Sequence, residues 1–188
     1  MNIVKKLCKN FSERDGFKPE IIVIHISGGT EKSMNFWFNT PGSQASAHYG
    51  VGKDLYIYQY VEENKKSWSC GNVRNPSFKL YKPGINPNLY TINIECEGYD
   101  LSQASIYQIG TLVGLLKDIA KRWNIPLDRD HIIGHYQIDR INRYYCPSQD
   151  HKLLDRIVAQ LQPEEIVNIQ VPKSKVERVL QFIKSLIN

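Results

Sequence analysis

The 188-residue chain is 41% hydrophobic and 23% charged with a formal net charge of +5, an ordinary globular composition long enough for one full-sized core and a small appendage. Its basic residues are spread out rather than clustered, and it has neither paired CxxC ligands nor an aromatic-basic strand, so a nucleic-acid-binding role is disfavoured although the charge suits an acidic polymer. Cys8, Cys70, Cys96 and Cys146 form no dense framework, so free thiols or one thiolate on a metal are expected rather than two disulfides.

The N-terminal stretch MNIVKKLCKNFSERDGF has lysines but no apolar core followed by a small-residue cleavage site. With no long apolar span elsewhere, a chain made in the cytoplasm, without a signal peptide or transmembrane segment, is expected. Residues 21–26, IIVIHI, are β-branched and apolar apart from His25, and Gly28 and Gly29 stop the run. The pattern predicts a buried central strand with a histidine near its C-terminal end. A short turn of helix is expected over 33–39, and AHYGVGKDLYIYQYV, residues 47–61, reads as two strands around the turn GKD.

Residues 72–89 mix proline and glycine with asparagine and lysine and read as a long surface loop, of a length often found at binding sites. TINIECEG, residues 91–98, is a further strand ended by glycine, with Glu95 where an apolar residue would cost less. Alternation puts Glu95 and Glu97 on one face and Cys96 on the other.

From Ser102 to Trp123 the residues Ile106, Ile109, Leu112, Val113, Leu116, Ile119, Ala120 and Trp123 form a helical stripe. Ser102 is the expected cap, and Asn124 with Pro126 the stop. HIIGH, residues 131–135, reads as a short strand or turn leading into an irregular stretch to Cys146, and a last helix is expected from Gln149 or Asp150 to Leu161. Pro163 closes it. The expected domain therefore spans 1–161, followed over 162–188 by a linker and the amphipathic helix SKVERVLQFIKSLIN, whose apolar face needs a partner in its own domain, a second copy or another surface.

Zinc favours three protein ligands from histidine, cysteine or carboxylate with a fourth position open for reaction. His25, His135 and Cys146 could supply them, each at or just after the end of a β-like run. A lone strand histidine is more often a hydrogen-bonded core residue, so position alone is weak. The motifs around them are stronger: VIHISGG, SAHYGVGKD, TINIECEG, IIGHYQID and YYCPSQ occur in the order and spacing of the type 2 N-acetylmuramoyl-L-alanine amidases, and the chain resembles that family from about residue 19 to residue 160. The family holds phage endolysins and bacterial autolysins and is related to peptidoglycan recognition proteins.

The resemblance implies an α/β fold, a single mixed β-sheet flanked by helices with a zinc-containing groove on one face. It implies Zn2+ on His25, His135 and Cys146, with Glu95 as general base. The substrate implied is bacterial peptidoglycan, cut between N-acetylmuramic acid and L-alanine after the enzyme is released to the cell wall. Many relatives carry a lysine two residues before the third ligand. Here that position is Tyr144 with Arg143 beside it, and either could donate to an oxyanion. Ala47 stands where some relatives place a tyrosine, His48 is expected to be structural, and WSCG (68–71) replaces a WHAG motif, so Ser69 stands for a histidine. The alternatives are a peptidoglycan-binding module without catalysis, or a zinc hydrolase of another amide.

Overall fold

A computed structural model describes residues 2–162, so the expected C-terminal helix and any self-association through it lie outside the described residues. The strands are β1 (Ile3–Lys5), β2 (Phe11–Glu13), β3 (Ile21–Ile26), β4 (Tyr49–Val51), β5 (Ile57–Gln59), β6 (Lys65–Ser67), β7 (Thr91–Cys96) and β8 (Ile132–Gly134). The α-helices are α1 (Glu31–Asn39), α2 (Ile106–Trp123) and α3 (Leu153–Ala159), with short 3-10 turns between. Six strands form a mixed sheet in the order β1-β5-β4-β7-β3-β8, and β2 pairs with β6 in a separate ribbon.

β3, β4, β7 and β8 run parallel, while β5 is antiparallel to β4. β3 lies between β7 and β8 and is covered on both faces, which is why it reads as an apolar run apart from His25. On one face Ile22 and Ile24 join Leu112, Leu115, Leu116 and Ile119 of α2 and Leu154 and Ile157 of α3. On the other, Ile21 and Val23 meet Phe78 and Leu89 from the long 72–89 loop and Tyr90 just after it, with Ile133 and Ile138. That loop thus acts as a second layer over the sheet. Its cover gives way to a cavity at the C-terminal end of β3, the end at which ligands collect in parallel sheets.

Several boundaries differ from expectation. The cap of α2 is Ser105, whose hydroxyl accepts from the Gln108 backbone N–H at 3.2 Å, while Ser102 sits in the preceding turn, where Asp100 caps it. Ile106 consequently falls on the solvent side at 80% exposure, and Leu115 and Gln108 take buried places that the stripe omitted. Gln108 is buried because its amide donates to the Val51 and Glu97 carbonyls, tying α2 to the sheet. α3 starts at Leu153 rather than 149 or 150, because Asp150 accepts from the Lys152 N–H and the chain is still turning there. β1, β2 and β6, with sequences IVK, FSE and KKS, are three-residue edge strands too short to show an apolar alternation. The four cysteines are free.

Candidate metal centre and groove

Three segments meet where the parallel strands end. Register puts His25 on β3 opposite Glu95 on β7, and the β8 partner of Ile24 is Gly134, so His135 follows beside His25. A Cβ at Gly134 would meet the Tyr136 ring at 2.6 Å and Pro147 Cδ at 2.8 Å. Only glycine lets β8 close on the Cys146–Pro147 segment. The Tyr136 N–H to Cys146 O bond of 2.9 Å then holds that segment against the turn carrying His135.

His25 and His135 are buried and Cys146 is partly buried; one ligand atom from each lies within 4.8 Å of the other two. The hydrogen bonds fix both imidazole tautomers. His25 Nε2 lies 3.0 Å from Asn93 Oδ1, and the Asn93 amide is oriented because its Nδ2 donates to Ser67 Oγ and Thr91 Oγ1. His135 Nε2 lies 3.1 Å from the Cys70 carbonyl. Both outer partners accept only, so each Nε2 carries the proton and each Nδ1 presents a lone pair. The two Nδ1 atoms are 2.9 Å apart. Two facing lone pairs at that distance repel, and a cation is what such a pair accommodates.

The electrostatics agree. Burial, then the second imidazole, holds His25 well below the ordinary histidine range, and burial brings His135 down to about 4 despite its bond to Cys70. Both are therefore neutral at pH 7, as metal ligands must be. Burial and the nearby Glu95 push the Cys146 thiol up to about 12, so without a cation the sulfur keeps its proton; a bound metal removes it. The residues fit a three-ligand metal site.

Glu95 Oε1 is 4.0 Å from His25 Nδ1, and Oε2 is buried without a hydrogen-bond partner. Burial, partly opposed by the charge of Arg143, lifts its carboxyl to about 7. These groups floor a cavity of about 510 Å³ walled by Ser33, Met34, Phe36, Trp37 and Phe38 of α1, by Ser46, Trp68 and Ser69, and by Arg143.

The sequence model of the N-acetylmuramoyl-L-alanine amidase family matches residues 15–149. The chain belongs to this family. It is 30% identical to N-acetylmuramoyl-L-alanine amidase A of Achromobacter lyticus over 104 residues, 54% of this chain and 51% of that one, so the match spans about half the length of this relative. A crystal structure of an AmpD derivative superposes with a TM-score of 0.67 at 21% identity, over 86% of this chain and 94% of that one. A mutant endolysin from Bacillus subtilis does so with a TM-score of 0.61 at 19% identity, over 86% and 99%. At these identities the two structures establish a shared fold.

Within this amidase-family fold His25, His135, Cys146, Glu95 and Arg143 all line the one cavity. Tyr144 does not: its ring packs edge-on against His151 and Tyr145, at centroid distances of 4.7 and 5.1 Å. Glu97 also points elsewhere and accepts from the Lys53 N–H at 2.8 Å. His48 is buried away from the cluster; its Nδ1 accepts from the Asn93 N–H at 2.9 Å and its Nε2 lies 3.0 Å from the Lys65 carbonyl. Ser69 lines the cavity with its hydroxyl bonded to the Ser46 carbonyl.

Sequence reasoning passed over Asn93, the Cys70 carbonyl and Asp139. Asn93 was findable, being a second polar residue in an apolar strand two places from Glu95 and so on the same face. Asp139 accepts from the Ile141 and Asn142 N–H groups and so shapes the turn that presents Arg143. Burial works against its charge, but the bonds from Asn142 and Ile141 outweigh it and lower its pKa. The Cys70 carbonyl is a backbone group and leaves no mark in a sequence. Among the described residues, no helix is long and apolar enough to cross a membrane.

Proposed function

We propose that the chain is a zinc-dependent N-acetylmuramoyl-L-alanine amidase that hydrolyses the amide between N-acetylmuramic acid and L-alanine in bacterial peptidoglycan. The observation that carries this reading is the pair of imidazole Nδ1 atoms 2.9 Å apart, both turned inward as lone pairs, beside a thiol and a buried carboxylate. His25, His135 and Cys146 would hold zinc, a donor set of two nitrogens and one sulfur that leaves a fourth position open. Zinc bound there supplies a Lewis acid and brings the pKa of a water to about 7.

The remaining work falls to side chains. Glu95 takes a proton from the water as its oxygen attacks the amide carbonyl carbon, and returns that proton to the nitrogen as the C–N bond breaks. Burial suits Glu95 to both halves by keeping its two protonation states close in energy near neutral pH, and the base form would be favoured with a cation held by the ligands. Arg143 offsets the negative charge that develops on the carbonyl oxygen. What favours Arg143 over Tyr144 is its place in the cavity wall, since the Tyr144 ring is engaged by His151. The products are a muramic acid carboxylate and the free amine of alanine.

A lytic role, as an endolysin or autolysin that meets the wall after release from the cell, belongs to the same proposal and is supported by the fold shared with an endolysin. The test incubates purified peptidoglycan with zinc-loaded protein, with chelated protein and with Glu95→Ala. New N-terminal alanine without new reducing sugar ends, lost in both controls, is the expected result. Bound zinc with no new amines on any peptidoglycan would replace the amidase with a binding module or a hydrolase of another amide.

A further inference from the structure

α1 spends its apolar residues in two directions. Met34 and Phe38, four apart and both buried, pin the helix to Tyr58, Tyr60 and Ala47 on the β4–β5 side of the sheet. Phe36 and Trp37 take no part in that packing: they are 72% and 51% exposed, and both line the cavity. Two large aromatics left open on a helix that already has its buried anchors contribute little to folding and are the usual mark of a ligand surface. Trp68 stands in the same cavity with its indole N–H bonded to Ser12 Oγ at 3.0 Å, which fixes its ring.

The groove is chemically polarised across the sheet. Its aromatic wall rises on the β4–β5 side, the ligand cluster and Glu95 sit at the ends of β3 and β7, and the cation Arg143 comes from the segment after β8, the opposite edge. A substrate cut at the centre must send one half each way. Peptide stems carry carboxylates and suit the Arg143 side. An N-acetylated sugar ring is uncharged and has apolar C–H faces that suit flat aromatic surfaces.

We propose that Phe36 and Trp37 form the sugar subsite, seating the N-acetylmuramyl ring on the α1 wall while the peptide stem runs toward Arg143. This rests on the amidase reading for the direction of the substrate, but the sugar contact itself does not depend on cleavage. The subsite makes the enzyme selective for the glycan-linked stem over the same amide without a ring.

The test compares two substrates sharing the scissile amide, a disaccharide-linked muropeptide and its D-lactoyl-peptide counterpart that lacks the sugar ring, with Phe36→Ala, Trp37→Ala and the parent full chain. KM for the muropeptide should rise by about ten-fold or more in each variant with kcat nearly unchanged, while kcat/KM for the ring-free peptide stays within about two-fold. Separately, titrating the N-acetylglucosaminyl–N-acetylmuramic acid disaccharide, with no peptide, should shift the Trp37 indole resonance of the metal-free protein and leave that of Trp123 in place. Equal losses on both substrates, or no loss on the muropeptide, would overturn the subsite, as would a disaccharide that leaves Trp37 unmoved. If no amide is cleaved by the parent protein yet the disaccharide still shifts Trp37, the amidase reading falls and the sugar contact stands. Both side chains are open to solvent and alanine favours helix, so circular dichroism should match the parent.

Discussion

Replacing Asn93 should separate the outer partners of the metal site from its ligands. The Asn93 carbonyl oxygen, 3.0 Å from His25 Nε2, is what keeps the proton on that nitrogen and the lone pair on Nδ1. Asn93→Leu keeps the side-chain volume but removes the acceptor, leaving the imidazole free to flip or to change tautomer, and leaves Ser67 Oγ and Thr91 Oγ1 short of a donor. Losing such a partner typically weakens metal binding by about 10- to 100-fold, equivalent to about 1.4–2.7 kcal/mol. Asn93→Asp restores an acceptor at the same place and should recover most of the loss. Competition for zinc against a chromophoric chelator at pH 7.5 measures the affinity, and circular dichroism at the same temperature checks the fold. A folded Asn93→Leu protein binding zinc within about two-fold of the parent would refute the tautomer argument and leave Asn93 a packing residue.

Three further outcomes follow from the same geometry. Glu95→Gln should lower kcat by about 10²–10⁴-fold with zinc affinity close to the parent's, measured as release of alanine amine. Gly134→Ala forces a Cβ to within 2.6 Å of the Tyr136 ring and 2.8 Å of Pro147 Cδ, and overpacking of this kind costs about 1–3 kcal/mol, read as a lower denaturant midpoint. In the metal-free protein, stability should fall as pH drops from 6.5 toward 5. His25, His48 and His135 all have folded pKa values below the unfolded 6.5, with His48 brought to about 3 first by burial and then by Arg14, so the unfolded chain binds more protons in that window. Glu95, raised to about 7, opposes them by somewhat under one proton, so the net slope steepens from about 1 kcal/mol per pH unit at pH 6.5, where the unfolded histidines are half protonated, to about 2.7 kcal/mol per pH unit near pH 5, where they are almost fully protonated. A flat denaturant midpoint between pH 5 and 6.5 would contradict the buried neutral histidines.

The parts of the fold that were legible are those whose burial is two-sided or strictly periodic. β3 announced itself as an apolar run broken only by His25, β7 by apolar residues alternating with Thr91, Asn93 and Glu95, and α2 by its stripe, since each buries against a continuous core. The start of α2 was misplaced because Ser102 and Ser105 are both plausible caps three residues apart, and only Asp100, by organising the intervening turn, decides between them. β1, β2 and β6 take their order from pairing partners far along the chain, such as Ile3 with Ile57 and Phe11 with Ser67, so nothing local marks them. At the site, the ligand-type side chains could be named from their motifs. Of their outer partners, Asn93 could be suspected from its place on the Glu95 face of the strand, but its bond to His25 and the Cys70 carbonyl could not, because a backbone carbonyl and the orientation of an amide exist only once the strands are in register.

The cluster also explains why the legible anomalies and the site coincide. A sheet interior is stabilised by apolar side chains, and β3 and β7 supply them except at His25, Thr91, Asn93 and Glu95, of which His25, Asn93 and Glu95 are the costliest to bury alone. Asn93 and His25 satisfy one another, but the arrangement ends with a lone pair on each Nδ1, two such atoms 2.9 Å apart, and an unpartnered carboxylate oxygen. None of these can be relieved by the protein's own groups without undoing the tautomers that Asn93 and the Cys70 carbonyl impose. The unfavourable contacts are concentrated at the floor of the groove, and a cation held there would relieve them, satisfying both lone pairs, converting the Cys146 thiol into a thiolate and lowering the cost of an ionised Glu95. The residues that are costly to bury in the core are thus the ones that would make binding of a metal favourable, and the conflict between local burial and local polarity points to the proposed chemistry.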